Sequence, residues 1–240
     1  MAQTVIIVAA THGELSLLLS TGNATRLPSV VPPEVYEGMI GTTRVLYAMT
    51  GIGKVNAAAS TAALLERNPP ALLINTGCAG AYHGCGLAVG DLAIASHEIF
   101  GDEGVETPKG WESLRLIGIP VLECNGMRLY NEFPLSRQAT ERAAALAGAL
   151  GKVATVGRFV SVSTCSGTRA RGDEMAHRFG AVSENMEGGA VAQVAMAYGV
   201  ECIEVRGISN MVEDRDLATW DIPLAVERVQ EFVVKFLESL

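Results

Sequence analysis

Two acidic residues stand where they could act on a bound ligand. Glu14 follows an apolar run at residues 5–10, and Glu187 opens an almost uncharged segment that continues Gly188-Gly189-Ala190. A pair of carboxylates can supply a general base and stabilise a developing positive charge, so the two predict acid–base chemistry. Glu187 has a second interpretation, because an acid at the start of a helix can instead satisfy free backbone amides.

The standard nucleotide and hydrolase motifs do not fit this chain. Gly51-Ile52-Gly53-Lys54 resembles part of a phosphate-binding loop, but Ala48 and Val55 stand where that motif needs glycine and a hydroxyl residue. The dinucleotide fingerprint fails as well, since Asn56 replaces its third glycine. No GxSxG sequence occurs, and the four histidines lack metal-ligand spacing. The motifs alone therefore name no reaction.

Composition narrows the kinds of partner. The chain of 240 residues carries 18 Lys or Arg and 26 Asp or Glu, a formal net charge of −8. Apolar residues make up 49% of it, which is typical of a globular chain with a large aliphatic core. Because an acidic surface repels phosphate backbones and anionic lipids, nucleic acid and membranes are not expected as partners. A small molecule is therefore the expected partner.

Neither a membrane span nor a secretory leader is expected. The longest run without charged side chains, residues 68–90, is broken by Pro69, Pro70 and several glycines into pieces too short to cross a bilayer. No basic segment precedes the first apolar run. Five cysteines without a CxxC pair indicate reduced thiols rather than zinc ligands or disulfides, so the expected location is the cytoplasm.

Short apolar runs alternate with helix-like segments along the chain. The runs lack polar alternation, which is typical of strands buried on both faces of a sheet. Expected strands are 5–10, 45–49, 72–75, 92–95, 159–162 and 202–205, and expected helices are 55–67, 138–150, 188–198 and an apolar-faced segment at 229–240. Residues 36–49 indicate a hairpin around Gly41. The pattern predicts an α/β protein with a largely parallel sheet, taken as one domain over residues 1–240.

Ligands of such sheets bind beyond the carboxyl ends of the strands. Most of the segments that follow the expected strands are rich in Gly, Ser, Thr or Asn, and they are residues 11–14, 50–54, 76–80, 163–167 and 207–210. We therefore expect a ligand site where these segments meet.

Several of these segments resemble one known family. They occur in the order seen in the purine nucleoside phosphorylase and nucleosidase superfamily, and they are Gly51-Ile52-Gly53-Lys54-Val55-Asn56-Ala57-Ala58, Asn75-Thr76-Gly77-Cys78-Ala79-Gly80, Val89-Gly90-Asp91, Met186-Glu187 and Val205-Arg206-Gly207-Ile208-Ser209. The resemblance covers nearly the whole chain. It implies a single-domain, three-layer α/β fold with a mixed, distorted central β-sheet flanked by helices. It also implies a nucleoside ligand, no metal or cofactor, and a homo-oligomer based on a dimer.

The resemblance assigns roles to matching residues. Glu14 matches the carboxylate that orients and deprotonates the attacking water, and Arg206 matches an arginine near that water. Met186 and Glu187 match the pair that packs under the nucleoside and accepts hydrogen bonds from the ribose. The family pattern further assigns substrate contacts to Asn185 and to a loop beside the ribose and base, made of Gly77, Cys78, Ala79 and Gly80. Cleavage of an N-ribosidic bond passes through a sugar cation, which these carboxylates would stabilise.

Two departures from the family pattern bear on the reaction. Phosphorylases of this superfamily hold phosphate with arginines that are absent here at residues 11–13 and 74–76, so water is the expected nucleophile. Asn210 replaces an aspartate of the adenine-specific nucleosidases. An Asn amide can donate a hydrogen bond to O6 of a 6-oxopurine, whereas an ionised Asp would repel that oxygen. With Phe100-Gly101-Asp102-Glu103-Gly104-Val105, Asn210 favours the branch that hydrolyses futalosine, a hypoxanthine nucleoside of menaquinone biosynthesis.

The far end of the substrate is less fully specified by the sequence. Trp220 matches an aromatic residue over the 5′ substituent, although a core or interface position is an equal alternative. Ser166 stands where relatives stack a Phe on the purine and could hydrogen-bond the base instead. Three basic residues could pair with a substrate carboxylate: Lys109, Arg169 and Arg171. Alternatives left open are hydrolysis or phosphorolysis of another 6-oxopurine nucleoside such as inosine, and a nucleoside-binding protein without catalysis.

Overall fold

The computed structural model describes residues 4–28 and 33–240. Its strands, in chain order, are β1 Thr4–Ala9, β2 Thr25–Arg26, β3 Glu34–Ile40, β4 Thr43–Met49, β5 Leu72–Ala81, β6 Leu92–Phe100, β7 Gly104–Thr107, β8 Gly110–Ser113, β9 Leu122–Cys124, β10 Met127–Leu129, β11 Glu132–Pro134, β12 Ala154–Ser161, β13 Ala181–Asn185 and β14 Cys202–Met211. Its α-helices are α1 Ser16–Thr21, α2 Lys54–Arg67, α3 Arg137–Ala149, α4 Arg169–Phe179, α5 Gly188–Ala197 and α6 Ile222–Glu238. None of these helices is both long enough and apolar enough to cross a membrane.

Ten of the described strands form one mixed sheet. The order along it is β11-β6-β12-β13-β5-β1-β4-β3-β2, and β14 pairs with both β5 and β6. The β1–β4, β1–β5, β5–β14, β6–β12 and β12–β13 pairs are parallel, whereas the pairs of β13 with β5 and of β14 with β6 are antiparallel. Strands β5, β13, β12, β6 and β14 therefore close a ring, which distorts the sheet. The mixed, distorted sheet implied by the family resemblance is confirmed.

Helices cover the sheet on two sides and complete three layers. Along β1, Val5 and Ile7 pack in one apolar cluster with residues of α3 and α6, while Ile6 and Val8 pack in a second cluster with residues of α2 and α5. Successive side chains of a strand point to opposite faces, so a strand covered on both faces needs an unbroken apolar run. This requirement explains why the strand reads as a run without polar alternation.

Most of the expected elements are confirmed, with one important correction. The hairpin exists, with β3 and β4 joined through Gly41, whose φ of 58° lies in the left-handed region. The glycine-rich residues 76–80 and residues 207–210, however, are not loops. They form the second halves of β5 and β14, which pair with each other as far as Met211 and Ala81. The ligand edge therefore includes strand residues as well as loop residues.

Candidate active site

A cavity of about 910 Å³ lies where β1, β5, β13 and β14 end. Its size falls in the range typical of small-molecule sites. Ten of the residues expected at the site line it, and they are Glu14, Cys78, Ala79, Gly80, Ser166, Asn185, Met186, Glu187, Asn210 and Trp220. Two others, Gly77 and Arg206, lie behind the cavity wall rather than on it.

Glu14 is held in place by two main-chain donors and one hydroxyl. Its Oε2 accepts hydrogen bonds from the backbone N and from Oγ1 of Thr11, each at 2.9 Å, and its Oε1 accepts one from the backbone N of Cys78 at 3.0 Å. The side chain is 6% exposed. Three bonds leave this carboxylate with one unused acceptor position, since an ionised carboxylate offers about four.

Helix α6 fixes the segment that carries Glu14. Gln230 Oε1 accepts hydrogen bonds from the backbone N atoms of Leu17 and Leu18, the first-turn amides of α1. Gln230 Nε2 donates to the carbonyl oxygen of Gly13. Because the first amides of a helix have no partner within the helix, a side chain from elsewhere can cap them. Gln230 thus locks the turn around Glu14 against α6.

Glu187 does not cap helix α5, although it precedes the first helical residue. Its Oε1 accepts from the backbone N of Gly53 at 2.9 Å, and its Oε2 lies 3.8 Å from Nη2 of Arg206. Burial raises the pKa of Glu187, and the positive charge of Arg206 partly offsets that rise. The Gly51-Ile52-Gly53-Lys54 turn therefore acts as an amide donor to this carboxylate rather than as a phosphate loop.

Asn185 takes over the capping of α5. Its Oδ1 accepts from the backbone N atoms of Glu187 and Gly188 at 2.9 and 2.7 Å. Its Nδ2 donates to the buried carboxylate of Glu98 at 2.6 Å. Asn185 reaches the cavity wall, but its polar atoms are engaged inside the protein. Its main contribution is to leave the Glu187 side chain free for the cavity.

The two glycines after Glu187 allow α5 to approach the sheet. A Cβ at Gly188 would collide with the Glu98 and Glu204 carboxylates, and one at Gly189 would lie 2.7 Å from the Phe100 ring. Real Cβ atoms do not tolerate such distances, so only glycine fits at both positions. The Gly-Gly pair is thus a packing requirement that brings Glu187 to the cavity edge.

Arg206 is buried beneath the cavity among three acids. Its side chain is 1% exposed, and its Nε donates to Glu204 Oε1 at 2.7 Å. Burial opposes its charge, but Glu204, Glu187 and Glu14 outweigh that penalty and raise the pKa of Arg206 above its ordinary value. Within the part of the chain that the structure describes, its Nη2 has no hydrogen-bond partner. Arg206 therefore acts on the cavity through the carboxylates it touches.

Gly77 makes room for this arrangement. Its φ of 139° is a conformation that residues with a Cβ rarely adopt, and a Cβ there would collide with Glu14 Oε1 and lie 2.8 Å from Arg206 Nη1. The next residue, Cys78, faces the cavity, and its thiol stays neutral because burial and the Glu14 charge raise its pKa to about 12. Gly77 thus supports the site from behind, and Cys78 lines it.

A β-bulge aims Asn210 at the cavity. Ile208 pairs with Ala79 and Asn210 pairs with Gly80, so Ser209 is the extra residue on β14. Asn210 Oδ1 accepts from Ser209 Oγ at 2.8 Å, and its Nδ2 donates to the carbonyl oxygen of Met211 at 3.1 Å. The second N–H of this amide is left for a ligand.

The loop that carries Ser166 is tied to the segment 100–105. Lys54 forms ion pairs with Asp102 and with Glu103, and Asp102 also accepts from the backbone N of Ser163. Ser166 is half-buried, and its Oγ has no partner among residues 4–28 and 33–240. Asp102 therefore positions the loop, while the Ser166 hydroxyl keeps its hydrogen-bonding capacity.

Trp220 lines the cavity with an unexpected neighbour. The guanidinium of Arg215 lies 4.9 Å from the centre of the Trp220 ring, and both residues line the cavity. The basic residues expected to meet a substrate carboxylate do not line it: Lys109 is exposed elsewhere, Arg169 pairs with Asp173, and Arg171 pairs with Glu174. Arg215 belongs to the charged run 213–216, and although it is exposed it reaches the site.

A third buried acid of the cavity, Glu184, was not predicted from the sequence. It lies on β13, is 6% exposed and lines the cavity near Ser166. Its Oε1 accepts from the backbone N of Ser166 at 2.8 Å, and its Oε2 accepts from the Tyr82 hydroxyl at 3.1 Å. The signal available in the sequence was an acid only three residues before Glu187, within a strand too short and too polar to be predicted.

Comparisons with known proteins agree with this architecture. The model of the phosphorylase superfamily matches residues 4–238. A futalosine hydrolase of Thermus thermophilus is 37% identical over 202 residues, which cover 84% of each chain. A 5′-methylthioadenosine/S-adenosylhomocysteine nucleosidase of Glaesserella parasuis is 31% identical over 241 residues, 97% of each chain.

A solved structure gives the same result for the fold. It is a 5′-methylthioadenosine/S-adenosylhomocysteine nucleosidase of Neisseria meningitidis in complex with methylthio-immucillin-A. It aligns with a TM-score of 0.85 and 25% identity over 99% of this chain and 100% of its own. The match of the family model to almost the whole chain, together with relatives above 30% identity, identifies the family. The chain belongs to the phosphorylase superfamily.

Proposed function

We propose that this protein hydrolyses the N-ribosidic bond of futalosine and releases hypoxanthine. The observation that carries the proposal is Asn210, an amide turned into the cavity of a fold whose adenine-specific members are expected to hold an aspartate there. Its free N–H can donate to O6 of a 6-oxopurine. The futalosine hydrolase of Thermus thermophilus, at 37% identity, supports the same substrate.

The reaction needs a nucleophile and a base to activate it. In the proposed step Glu14 takes a proton from water, the water oxygen attacks C1′, and the C1′–N9 bond breaks with its electron pair leaving on the purine. The unused acceptor position of Glu14 is suited to that water, because its other positions are filled by Thr11 and Cys78. The products are hypoxanthine and the sugar that carries the 5′ substituent.

Water is favoured over phosphate as the nucleophile by the charge of the cavity. Four acids line it: Glu14, Glu184, Glu187 and Glu227. Among the described lining residues, Arg215 is the only basic one, and it lies beside Trp220. A phosphate dianion next to these carboxylates would be repelled, whereas a developing sugar cation would be stabilised by them.

Glu187 is suited to the sugar itself. One of its oxygens is held by Gly53 N, and the other is 3.8 Å from Arg206, longer than a hydrogen bond. The carboxylate therefore retains acceptor positions for ribose hydroxyls and negative charge for the sugar cation. The purine departs as a hydrogen-bonded anion or takes a proton from water, because an Asn amide has no acidic proton to give.

The 5′ end supports futalosine over a plain nucleoside such as inosine. Futalosine carries a carboxyphenyl group, and the cavity offers an aromatic ring and a guanidinium side by side in Trp220 and Arg215. A Trp ring can stack on the phenyl ring, and an Arg can pair with its carboxylate. Hydrolysis of methylthioadenosine is the competing function, because a relative named for that activity aligns over 97% of the chain.

Replacement of Asn210 by Asp tests the proposal. The wild type should prefer hypoxanthine nucleosides, and the variant should shift toward adenine nucleosides by roughly 5- to 150-fold in relative kcat/KM, because one wrong buried partner costs about 1–3 kcal/mol. Asn125→Asp makes the same chemical change in an exposed turn and should leave the ratio unaltered. Base selectivity that stays the same in Asn210→Asp, or a wild type that prefers adenine nucleosides, would contradict the proposed substrate.

A further inference from the structure

We propose that Glu184 accepts a hydrogen bond from N1–H of the purine and so makes the site selective for 6-oxopurines. This inference rests on the proposed function and names the residue that determines its base specificity. Glu184 is one of the three cavity acids that are nine-tenths buried, and in the proposed reaction it binds neither the water nor the ribose. Its hydrogen bonds from Ser166 N and the Tyr82 hydroxyl leave acceptor positions free, and a buried carboxylate is stabilised by each further donor.

The sheet register puts Glu184 across a gap from Asn210. Glu184 pairs with Gly80 on one side of β5, and Asn210 pairs with Gly80 on the other side. The three residues therefore lie in one row across three neighbouring strands, and both outer side chains line the cavity. Neighbouring strands are about 4.8 Å apart, so the outer two backbones are about 10 Å apart.

Gly80 keeps the space between them open. A Cβ at this position would lie 3.2 Å from Asn210 Nδ2 and 2.9 Å from a methyl group of Val212. Without a side chain there, the row consists of an acceptor, a gap and an amide. A flat heterocycle placed in this gap would meet the acceptor on one side and the amide on the other.

The hydrogen bonds of Glu184 define what it can accept. Both of its described partners, Ser166 N and the Tyr82 hydroxyl, are donors, so each oxygen acts as an acceptor and retains a second acceptor position. Within residues 4–28 and 33–240, no Lys, Arg or His forms an ion pair with it. The side chain is thus an acceptor-only group that faces the cavity and lacks a cation.

A 6-oxopurine presents the complementary pattern. Its N1–H is a donor and its adjacent O6 is an acceptor, so N1–H can donate to Glu184 while O6 accepts from the Asn210 amide. Adenine has a lone pair at N1, which faces the carboxylate without a hydrogen between them. The carboxylate would therefore exclude adenine by repulsion as well as by a missing hydrogen bond.

Binding of free bases tests Glu184 separately from catalysis. The probes are hypoxanthine, adenine and 1-methylhypoxanthine, which keeps O6 but has no N1–H, and calorimetry gives the Kd of each. The wild type should bind hypoxanthine at least about tenfold more tightly than 1-methylhypoxanthine. In Glu184→Gln the ratio of the adenine Kd to the hypoxanthine Kd should fall by about tenfold, because the new amide can donate to N1 of adenine.

Controls separate the failure of this inference from failure of the proposed function. Glu112→Gln, the same change on an exposed strand residue, should leave every ratio as in the wild type. Equal wild-type affinity for hypoxanthine and 1-methylhypoxanthine would overturn the role of Glu184, a result that needs no variant to fold. So would an unaltered adenine ratio in a folded Glu184→Gln that still releases hypoxanthine from futalosine. Tighter wild-type binding of adenine than of hypoxanthine would overturn the proposed function, and this inference with it.

Discussion

Buried carboxylates occur in two regions of this protein, and their partners differ. The cavity acids are Glu14, Glu184 and Glu187, each 6% exposed, and the core acids are Glu98 and Glu204, which are 0% and 1% exposed. Exposure alone hardly separates the groups. The cavity acids accept bonds mainly from backbone N–H groups and keep unused acceptor positions. The core acids are closed in by side chains.

The core acids form a sealed network under helix α5. Glu98 accepts from Ser161 Oγ at 2.8 Å and from Asn185 Nδ2 at 2.6 Å, and Glu204 accepts from Arg206 Nε at 2.7 Å. Burial and the nearby Glu204 charge raise the pKa of Glu98 well above its ordinary value, and Glu204 is the core acid that pairs with Arg206. One buried arginine is thus paired with one buried carboxylate.

This pairing shows how charge is divided between the regions. Because Glu204 neutralises Arg206, the charges of Glu14 and Glu187 stay available for the cavity. The cluster holds more acids than cations, because the single guanidinium of Arg206 faces the carboxyl groups of Glu14, Glu187 and Glu204, and this excess suits a reaction through a sugar cation. The core acids are accordingly expected to affect stability and pH dependence, and the cavity acids turnover.

The largest effect is expected at Glu14. Glu14→Gln keeps the size of the side chain and removes the proposed base, so kcat should fall at least about 10²-fold while ligand affinity and the free energy of unfolding stay near the wild-type values. Steady-state kinetics, ligand binding and urea denaturation measure the three quantities, with Glu112→Gln as the matched variant. Turnover within a few-fold of the wild type would remove Glu14 from the mechanism.

Substitution of Gly188 should affect stability rather than chemistry. The new Cβ in Gly188→Ala would collide with both core acids, so we expect a loss of roughly 1–3 kcal/mol in the free energy of unfolding. Gly148→Ala is the matched change, because its Cβ meets nothing within 4 Å on the exposed face of helix α3, and it should stabilise by up to about 1 kcal/mol. Equal stability of the two variants in denaturation would contradict the close packing of Gly188 against the core acids.

Glu204 links the two regions, so its replacement should produce an intermediate effect. In Glu204→Gln, Arg206 loses its charged partner and is free to neutralise Glu187, and kcat should fall by about tenfold. The negative charge of Glu204 also helps to raise the pKa of Glu187, so the acid limb of the pH–rate profile should move to lower pH. A fall in kcat without that movement would mean that Glu204 is only structural.

The smallest expected effect is a change in the free energy of unfolding with pH that is caused by Glu98. A carboxyl whose pKa is raised in the folded protein contributes stability that is complete below its unfolded pKa, near 4.5, and is lost as the pH rises through the folded pKa. The wild type should therefore lose stability relative to Glu98→Gln as the pH increases above about 4.5, by at most about 1.4 kcal/mol per pH unit. Urea denaturation at several pH values measures the difference, and a constant difference would mean that Glu98 is ionised throughout.

Predictability from the sequence also differs between regions. The apolar runs predicted β1 and β4 and the periodicity predicted α2, α3, α5 and α6, because burial on both faces or on one helical face leaves a local pattern. The second halves of β5 and β14 were taken for loops. Their glycines are typical of turns, and the strands that pair with them are more than 100 residues away in the chain.

The same distance explains the gaps in the predicted site. Glu14 and Glu187 were visible because each stands beside an apolar or glycine-rich segment, and Asn210 was visible through the family pattern. Glu184 acquires its setting only when β13 pairs with Gly80, and Arg215 only when its loop folds over Trp220. Glu98 and Glu204 are single acids within strands, and only the packed structure brings them together beneath Gly188.

The proposed function requires that the cavity hydrolyse a 6-oxopurine nucleoside and recognise its 5′ group. The most direct test offers futalosine, inosine and 5′-methylthioadenosine in parallel in phosphate-free buffer, with chromatography of the base and the sugar product. Rapid release of hypoxanthine from futalosine, slower release from inosine and little adenine from methylthioadenosine is the predicted result. Efficient release of adenine with none of hypoxanthine, or activity only after phosphate is added, would contradict the account.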